Sequence, residues 1–175
     1  DLDGDVSLST IRNKSKKSLQ VADRFVQAGQ STKIMLQAPK EMNMAGMLLA
    51  LDVDASTIDL DNILSLVSGV SLDYNTSPKG TVVISMISDG LSTTIQKSQL
   101  LLSFNVTSTK DALLSQMIKI SETTIKSEIA DQGLEMSDIQ LEFTSEEATI
   151  SQVSVYPNPT NRIATIEVLS QQGFD

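Results

Sequence analysis

The chain has 175 residues, a formal net charge of −9, and neither histidine nor cysteine. Those absences exclude Ser–His–acid and Cys–His relays, disulfides, and zinc sites built on His or Cys. The acidic balance argues against a nucleic-acid-binding face and against anionic membranes, and no apolar run approaches the roughly 20 residues that span a bilayer.

The length suits one domain of ordinary size plus a fragment. With no Trp, two Tyr and four Phe, the core must be aliphatic, and the seven Met serve as fillers of irregular gaps. The chain opens at Asp1 without an initiator Met, which reads as an excised piece of a longer protein.

Residues 1–17, DLDGDVSLSTIRNKSKK, are polar and form a boundary or the tail of a preceding unit. The basic run Arg12, Lys14, Lys16, Lys17 is short, lacks aromatic interleaving and reads as solvated linker. A strand-like region begins at Leu19, Val21, Phe25 and Val26 and breaks at Ala28-Gly29-Gln30. In STKIMLQAP, Lys33, Met35 and Gln37 alternate with Ile34, Leu36 and Ala38, the period-two signature of a half-buried strand, and Pro39 ends it.

Met47, Leu49, Leu51 and Val53 share one face of a central strand whose acidic end emerges at Asp52 and Asp54. A second apolar region, Ile58, Leu60, Ile63, Leu64 and Val67, is interrupted by Asp59, Asp61 and Asn62. VSLDYN is a short strand, Ser77-Pro78-Lys79-Gly80 a turn, and TVVISMIS a strand carrying Val82, Val83, Ile84 and Ile87. Asp89-Gly90 is expected to supply the positive-φ positions of a tight hairpin. In QLLLSFNVTS, Leu100, Leu102 and Phe104 alternate against Leu101 and Ser103.

The stretch from Asp111 to Glu135 has two readings. Ala112, Leu113, Leu114, Met117 and Ile118 could make one or two helical turns capped by Asp111; Ile125, Ile129 and the Asp131-Gln132-Gly133 turn could equally belong to a hairpin. Asp138–Phe143 alternates cleanly as a closing strand. About eight or nine strands, spaced by roughly 8–15 residues without long helical periods, favour a sandwich or jelly roll over a βαβ sheet. TSEEATISQ is a polar linker, and VSVYPNPTNRIATIEVLSQQGFD begins a new unit with a strand over Ile163–Leu169. One hairpin of β structure is not stable alone, so this unit reads as truncated.

Asp52/Asp54 and Asp59/Asp61 are i, i+2 carboxylate pairs at strand ends. Loop capping is the leading reading, with calcium coordination by these residues or Asn62 the functional alternative. Asp1, Asp3 and Asp5, with Gly4 for the bend, have the alternate oxygen spacing that suits calcium, and they are the candidate metal ligands. Val6 stands where such a loop has Gly, and Arg12 where it closes with an acid, so the competing reading is a degenerate relic. Asn75-Thr-Ser77 and Asn105-Val-Thr107 fit the glycosylation sequon at close to chance frequency.

The segment from about 18 to 143 resembles the bacterial cohesin-like family. The resemblance rests on the order of VADRFVQAGQSTKIMLQA, MAGMLLALDVDASTIDLDNI, GTVVISMIS and QLLLSFNVTS, with landmarks Gly29, Gly46, Asp54 and Ile58/Leu60. It implies a nine-stranded β-sandwich with jelly-roll topology; true cohesins bind dockerins through one sheet face. DLDGDVSLS resembles a dockerin-type calcium loop. Val155-Tyr156-Pro157-Asn158-Pro159-Thr160-Asn161, followed by IATIEV, resembles the opening of the C-terminal sorting domain of the type IX secretion system, which exports cargo of Bacteroidetes across the outer membrane.

The expected organisation is a linker or dockerin-like remnant over 1–17, a cohesin-like sandwich over 18–143, a linker over 144–152 and the start of a sorting domain over 153–175. The expected function is a non-catalytic structural or interaction module of a large secreted or cell-surface bacterial protein, with no cofactor unless calcium. Its partners would be the secretion machinery and a protein or glycan, with no nucleic acid. The alternative is a dedicated recognition domain for a dockerin-like partner or a glycan, using a sheet face or loops.

Overall fold

A computed structural model describes residues 15–122, 125–145, 150–157 and 164–170. In chain order the elements are β1 (Lys16–Asp23), β2 (Phe25–Val26), β3 (Ser31–Gln37), β4 (Met42–Met44), β5 (Gly46–Val53), β6 (Ile58–Ser65), β7 (Val70–Thr76), β8 (Thr81–Ser88), β9 (Thr93–Ile95), β10 (Leu100–Ser108), β11 (Ala112–Leu113), the single turn α1 (Leu114–Met117), β12 (Ile118–Ile120), β13 (Glu128–Ala130), β14 (Met136–Ser145), β15 (Ile150–Pro157) and β16 (Ala164–Ser170). The chain divides into two compact units, Asp1–Thr144 and Ser145–Asp175.

In the first unit nine strands are hydrogen-bonded in the order β6-β10-β3-β1-β14-β13-β5-β8-β7, and β12 adds to β5. Laid flat, the eight spacings would separate β6 from β7 by about 38 Å. Yet β6 ends at Ser65 and β7 begins at Val70, and those residues reach at most about 18 Å. The path must therefore fold over itself. The link fastens to both halves: Leu66 N–H donates to the Leu101 carbonyl at 2.8 Å and Asp89 N–H to the Gly69 carbonyl at 2.9 Å. The fold-over brings β6-β10-β3-β1-β14 against β13-β5-β8-β7, and the expected nine-stranded jelly-roll sandwich results.

Contacts between β1 and β14 rise together along both strands. Asp138 N–H donates to the Ser15 carbonyl, Gln140 Nε2 to Ser18 Oγ, and Thr144 Oγ1 to the Val21 carbonyl. The first and last strands of the sandwich thus run parallel, a pairing that a hairpin cannot make.

The core is aliphatic, centred on Leu19, Ile34, Leu36, Leu49, Leu51, Ile84, Met86, Leu101, Leu102 and Phe104. Met42, Met44, Met47, Met86 and Met117 are buried within it as filler, while Met35 and Met136 stay exposed.

Alternation holds through β3 and, apart from Ala50, which is buried between Leu49 and Leu51, through β5, but two other strands reset their phase. In β6 the buried set is Ile58, Leu60 and Ile63. Asn62 makes the shift, with φ 51 at a register break opposite Ser103–Asn105, so the interruption read from the sequence is a β-bulge. Asn tolerates the left-handed region better than a branched residue, which is why it can sit there. In β10 a register break between Leu100 and Leu102 buries Leu101 and Leu102 together and leaves Leu100 exposed, correcting the simple alternation.

Other expectations also change. Asp89-Gly90 is not a tight hairpin: neither residue has positive φ, and β9 pairs with β4 rather than with β8. Asp111 does not cap α1; its carboxylate accepts from Ala28 N–H at 2.7 Å, while Asp23 holds the Ser115 N–H and hydroxyl, each at 2.8 Å. Both readings of 111–135 hold in part, because α1 is one turn and β13-β14 is a hairpin. Asp131 Oδ1 accepts from Gly133 and Glu135 N–H in that turn. In β8, Val82, Ile84 and Met86 are the buried members, Val83 is half-buried and Ile87 faces solvent.

The second unit pairs β15 with β16 antiparallel, setting Val153 opposite Val168 and Val155 opposite Ile166. β14 runs to Ser145 and β15 starts at Ile150, both inside the stretch read as linker.

Candidate functional site

Cross-strand register defines the outer side of β7, β8, β5 and β13. Val82, Ile84 and Met86 of β8 and Met47, Leu49 and Leu51 of β5 point inward and are buried. The residues between them face out, because side chains alternate across a strand. Three outward rows follow: Ser71–Ile87–Gly46–Ala130, Asp73–Ser85–Leu48–Glu128, and Asn75–Val83–Ala50. Around Ser85 stand three apolar residues, Val83 and Ile87 two places away on the same strand and Leu48 opposite on β5, with Ile87 60% exposed. The side chains of Ser85 and Asn75 make no hydrogen bond among the described residues.

A hollow of about 450 Å³ sits over this side, bounded by Asp73, Asn75, Thr81, Val83, Ser85 and Ile125 and touched by Tyr74. Tyr74 lies opposite Ile84, in the inward series by register, yet on this edge strand it stays 45% exposed.

The β13 end is built around one hydroxyl. β12 pairs with residues 51–53 of β5 and β13 with residues 46–48, which leaves Ala50 between them. Buried Ser127 completes the ladder: its Oγ accepts from Ala50 N–H at 2.9 Å, and Ser121 N–H donates to the Ala50 carbonyl at 2.8 Å. At the other end Gly80, with φ 92, ends the β7–β8 turn against β5; a Cβ there would stand 2.1 Å from the Val53 carbonyl oxygen.

The outer side of the other sheet carries exposed Met35 and Leu64 around β10 and, towards β1 and β14, a polar network bonded within itself. Ser18 donates to Glu142, Gln140 donates to Ser18 at 2.8 Å, and Gln37 donates to Gln20 at 3.5 Å. These bonds hold the Glu142 carboxyl below its ordinary range, Ser18 contributing most, with Gln20, Gln140 and the Lys40 charge adding to it. The one buried side-chain oxygen without a partner among the described residues, Ser103 Oγ, lies on this side, between Met35 and Leu64.

The carboxylates singled out in the sequence separate. Asp52 accepts from Thr81 Oγ1 at 2.8 Å. Asp54 caps its own turn, accepting from Ser56 N–H at 3.0 Å, Ser56 Oγ at 2.6 Å and Thr57 Oγ1 at 3.0 Å, and the Ser56 hydroxyl bond leads in lowering its pKa. Asp59 and Asp61 are exposed on β6, on the opposite sheet, and Asn62 is the bulge residue. Among the described residues no three carboxylates converge as metal ligands. Asp1, Asp3 and Asp5 lie outside the described residues, as do Arg12 and Lys14. The sequons fall on β7, where Asn75 is exposed, and on β10, where Asn105 is half-buried between Asp61 and Lys33. The sequence pattern sets Leu48 on the face opposite Met47, Leu49 and Leu51 but does not separate Val83 and Ile87 from the core; their signal is that they alternate with more deeply buried neighbours.

No protein-family model matches the sequence, and no curated protein matches it. Solved structures do match. A cohesin module from a Clostridium perfringens family 33 glycoside hydrolase is 15% identical, with a TM-score of 0.55 over 72% of this chain and 98% of that one. A type II cohesin–X–dockerin complex from Acetivibrio cellulolyticus gives 11% identity and a TM-score of 0.57 over 74% and 96%. A non-cellulosomal cohesin from the archaeon Archaeoglobus fulgidus gives 13% and 0.53 over 76% and 94%. At these identities the likeness is one of fold, and the fold is cohesin-like.

Proposed function

We propose that the sandwich is a non-catalytic protein-recognition module of a larger secreted or cell-surface bacterial protein, and that the outer side of β7, β8, β5 and β13 receives a dockerin-like partner. The observation that carries this reading is the apolar group of Leu48, Val83 and Ile87 set beside Ser85 and Asn75, polar groups with no partner of their own among the described residues. An interface needs such an apolar centre and a rim of free hydrogen-bonding groups. One of the matching structures is a cohesin bound to dockerin, which supports the choice of partner. The chain holds no His or Cys for a nucleophilic relay, which fits the non-catalytic reading.

The export context rests on VYPNPTN and IATIEV, taken as the opening of a type IX sorting domain. That reading puts the module outside the cell or on its outer surface, with the parent's activity elsewhere. DLDGDVSLS is taken as a dockerin-loop remnant, and Asp1, Asp3 and Asp5 as the residues that would hold calcium.

Isothermal titration of the whole chain with type I and type II dockerins, with and without calcium, tests the partner. Micromolar or tighter binding is expected, weakened about 30-fold or more by Val83→Asp, the loss typical of a central interface residue. Absence of heat with every dockerin, or binding indifferent to Val83→Asp, would contradict it.

A further inference from the structure

A second surface stands apart from the proposed recognition face. A groove of about 600 Å³ runs between the start of β1, the link from β3 to β4, and β14. Lys16, Lys17 and Lys40 line it together with the carboxylates of Glu41 and Glu142, three cations against two anions in a chain whose net charge is −9. None of the three makes an ion pair among the described residues. Topology brings them together: β1 and β3 are antiparallel neighbours, so the chain that continues past Gln37 carries Lys40 towards the start of β1, where Lys16 and Lys17 lie.

The floor decides what these cations would hold. Ser18, Gln20 and Glu142 line the groove between them. Glu142 accepts from Ser18 and from Gln140 Nε2 at 3.2 Å, so a donor–acceptor network is already in place beneath the ammonium groups. A site for a bare polyanion gains nothing from a carboxylate on its floor. A ligand that carries negative charge and also many hydroxyl donors uses both, since carboxylates accept and ammonium groups donate. Neutral sugars are held mainly by stacking on aromatic rings, and no aromatic side chain lines this groove; only Pro39 and Met42 offer apolar contact. Charge must supply what stacking does not. The size fits a short oligosaccharide, within the range of about 300–1,000 Å³ for ligand sites.

We infer that the Lys16–Lys17–Lys40 groove binds an acidic glycan, with uronate carboxylates on the lysines and sugar hydroxyls on Ser18, Gln20 and Glu142. This site is independent of the dockerin-like partner and lies on the other sheet, so one module could hold a protein on one side and an acidic polysaccharide on the other.

The test is titration of ¹⁵N-labelled whole chain with trigalacturonate, with the neutral trisaccharide maltotriose, and with a triglutamate peptide, at low salt and at physiological salt. Trigalacturonate is expected to shift the amides of Ser18, Gln20 and Lys40 and to leave Val83 and Ser85 unmoved. Binding should weaken about tenfold or more in Lys16→Gln/Lys17→Gln/Lys40→Gln, all exposed positions whose replacement leaves the melting temperature unchanged. Maltotriose should bind at least tenfold more weakly. Triglutamate binding as tightly as trigalacturonate would overturn the glycan assignment. So would affinity unchanged in the triple variant, or no shift with any ligand.

Discussion

The two outer sides of the sandwich use similar residue types for opposite ends. On β1, β3 and β14, Ser18, Gln20, Gln37, Gln140 and Glu142 bond to one another. On β7, β8 and β5, Ser85 and Asn75 bond to nothing described, and apolar Leu48, Val83 and Ile87 lie among them. A polar network bonded within itself contributes to stability and, beneath its lysine rim, keeps only its remaining acceptor positions for the hydroxyls of a ligand. Hydrated polar groups beside exposed apolar area leave that area to gain on association. The difference teaches that solvent-facing Ser and Gln on a β-sandwich cannot be read as uniform solubilising cover.

The largest expected effect concerns the frame of the open side. Gly80→Ala forces a Cβ against the Val53 carbonyl at a φ of 92, so the β7–β8 turn and β5 must separate. A loss of about 3 kcal/mol or more is expected from chemical denaturation. A smaller change would mean that the turn can move without disturbing the face. Next, Ser127→Ala leaves Ala50 N–H without its partner beneath the same side. A loss of about 1–3 kcal/mol is expected, with faster hydrogen exchange at Ala50.

The smallest effects sharpen the comparison most. Ser18→Ala should lower the melting temperature, while Ser85→Ala should change stability by no more than about 0.5 kcal/mol. The Ser18→Ala deficit should also depend on pH. The native pKa of Glu142 is depressed below 4.5, and Ser18 is the first cause. A depressed carboxyl pKa contributes stability that is present above the unfolded value and lost as pH falls through the folded one. The deficit should therefore be largest at neutral pH and shrink in acid, where the bond from Gln140 to Ser18 remains. Equal deficits for Ser18→Ala and Ser85→Ala would erase the distinction between the two sides.

Much of the fold was legible, because burial on one side imposes a period of two. β3, β5 and β14 appear where the alternation places them, and Ser77–Gly80 forms the expected turn. The bulges at Asn62 and at Leu100–Leu102 were not legible: a phase reset looks like a break when the partner strand is unknown. Asp111 was misassigned as a helix cap for a similar reason, since the acid that caps α1 comes from Asp23, 92 residues away in sequence. The recognition face was hidden because Val83 and Ile87 are apolar and adjoin core residues, although the pattern of β5 already turned Leu48 away from Met47, Leu49 and Leu51. Only the register of β7-β8-β5 shows that they point outward together. The lysine groove was hidden because Lys40 joins Lys16 and Lys17 only through strand order.

The central claim is that one outer side of this sandwich is built for a protein partner. ¹⁵N chemical-shift mapping of the whole chain against a binding dockerin tests it most directly. The account predicts shifts concentrated on Leu48, Asn75, Val83, Ser85 and Ile87, with Ser18, Gln37 and Gln140 unmoved. Shifts concentrated on β1, β3 and β14 instead would contradict it.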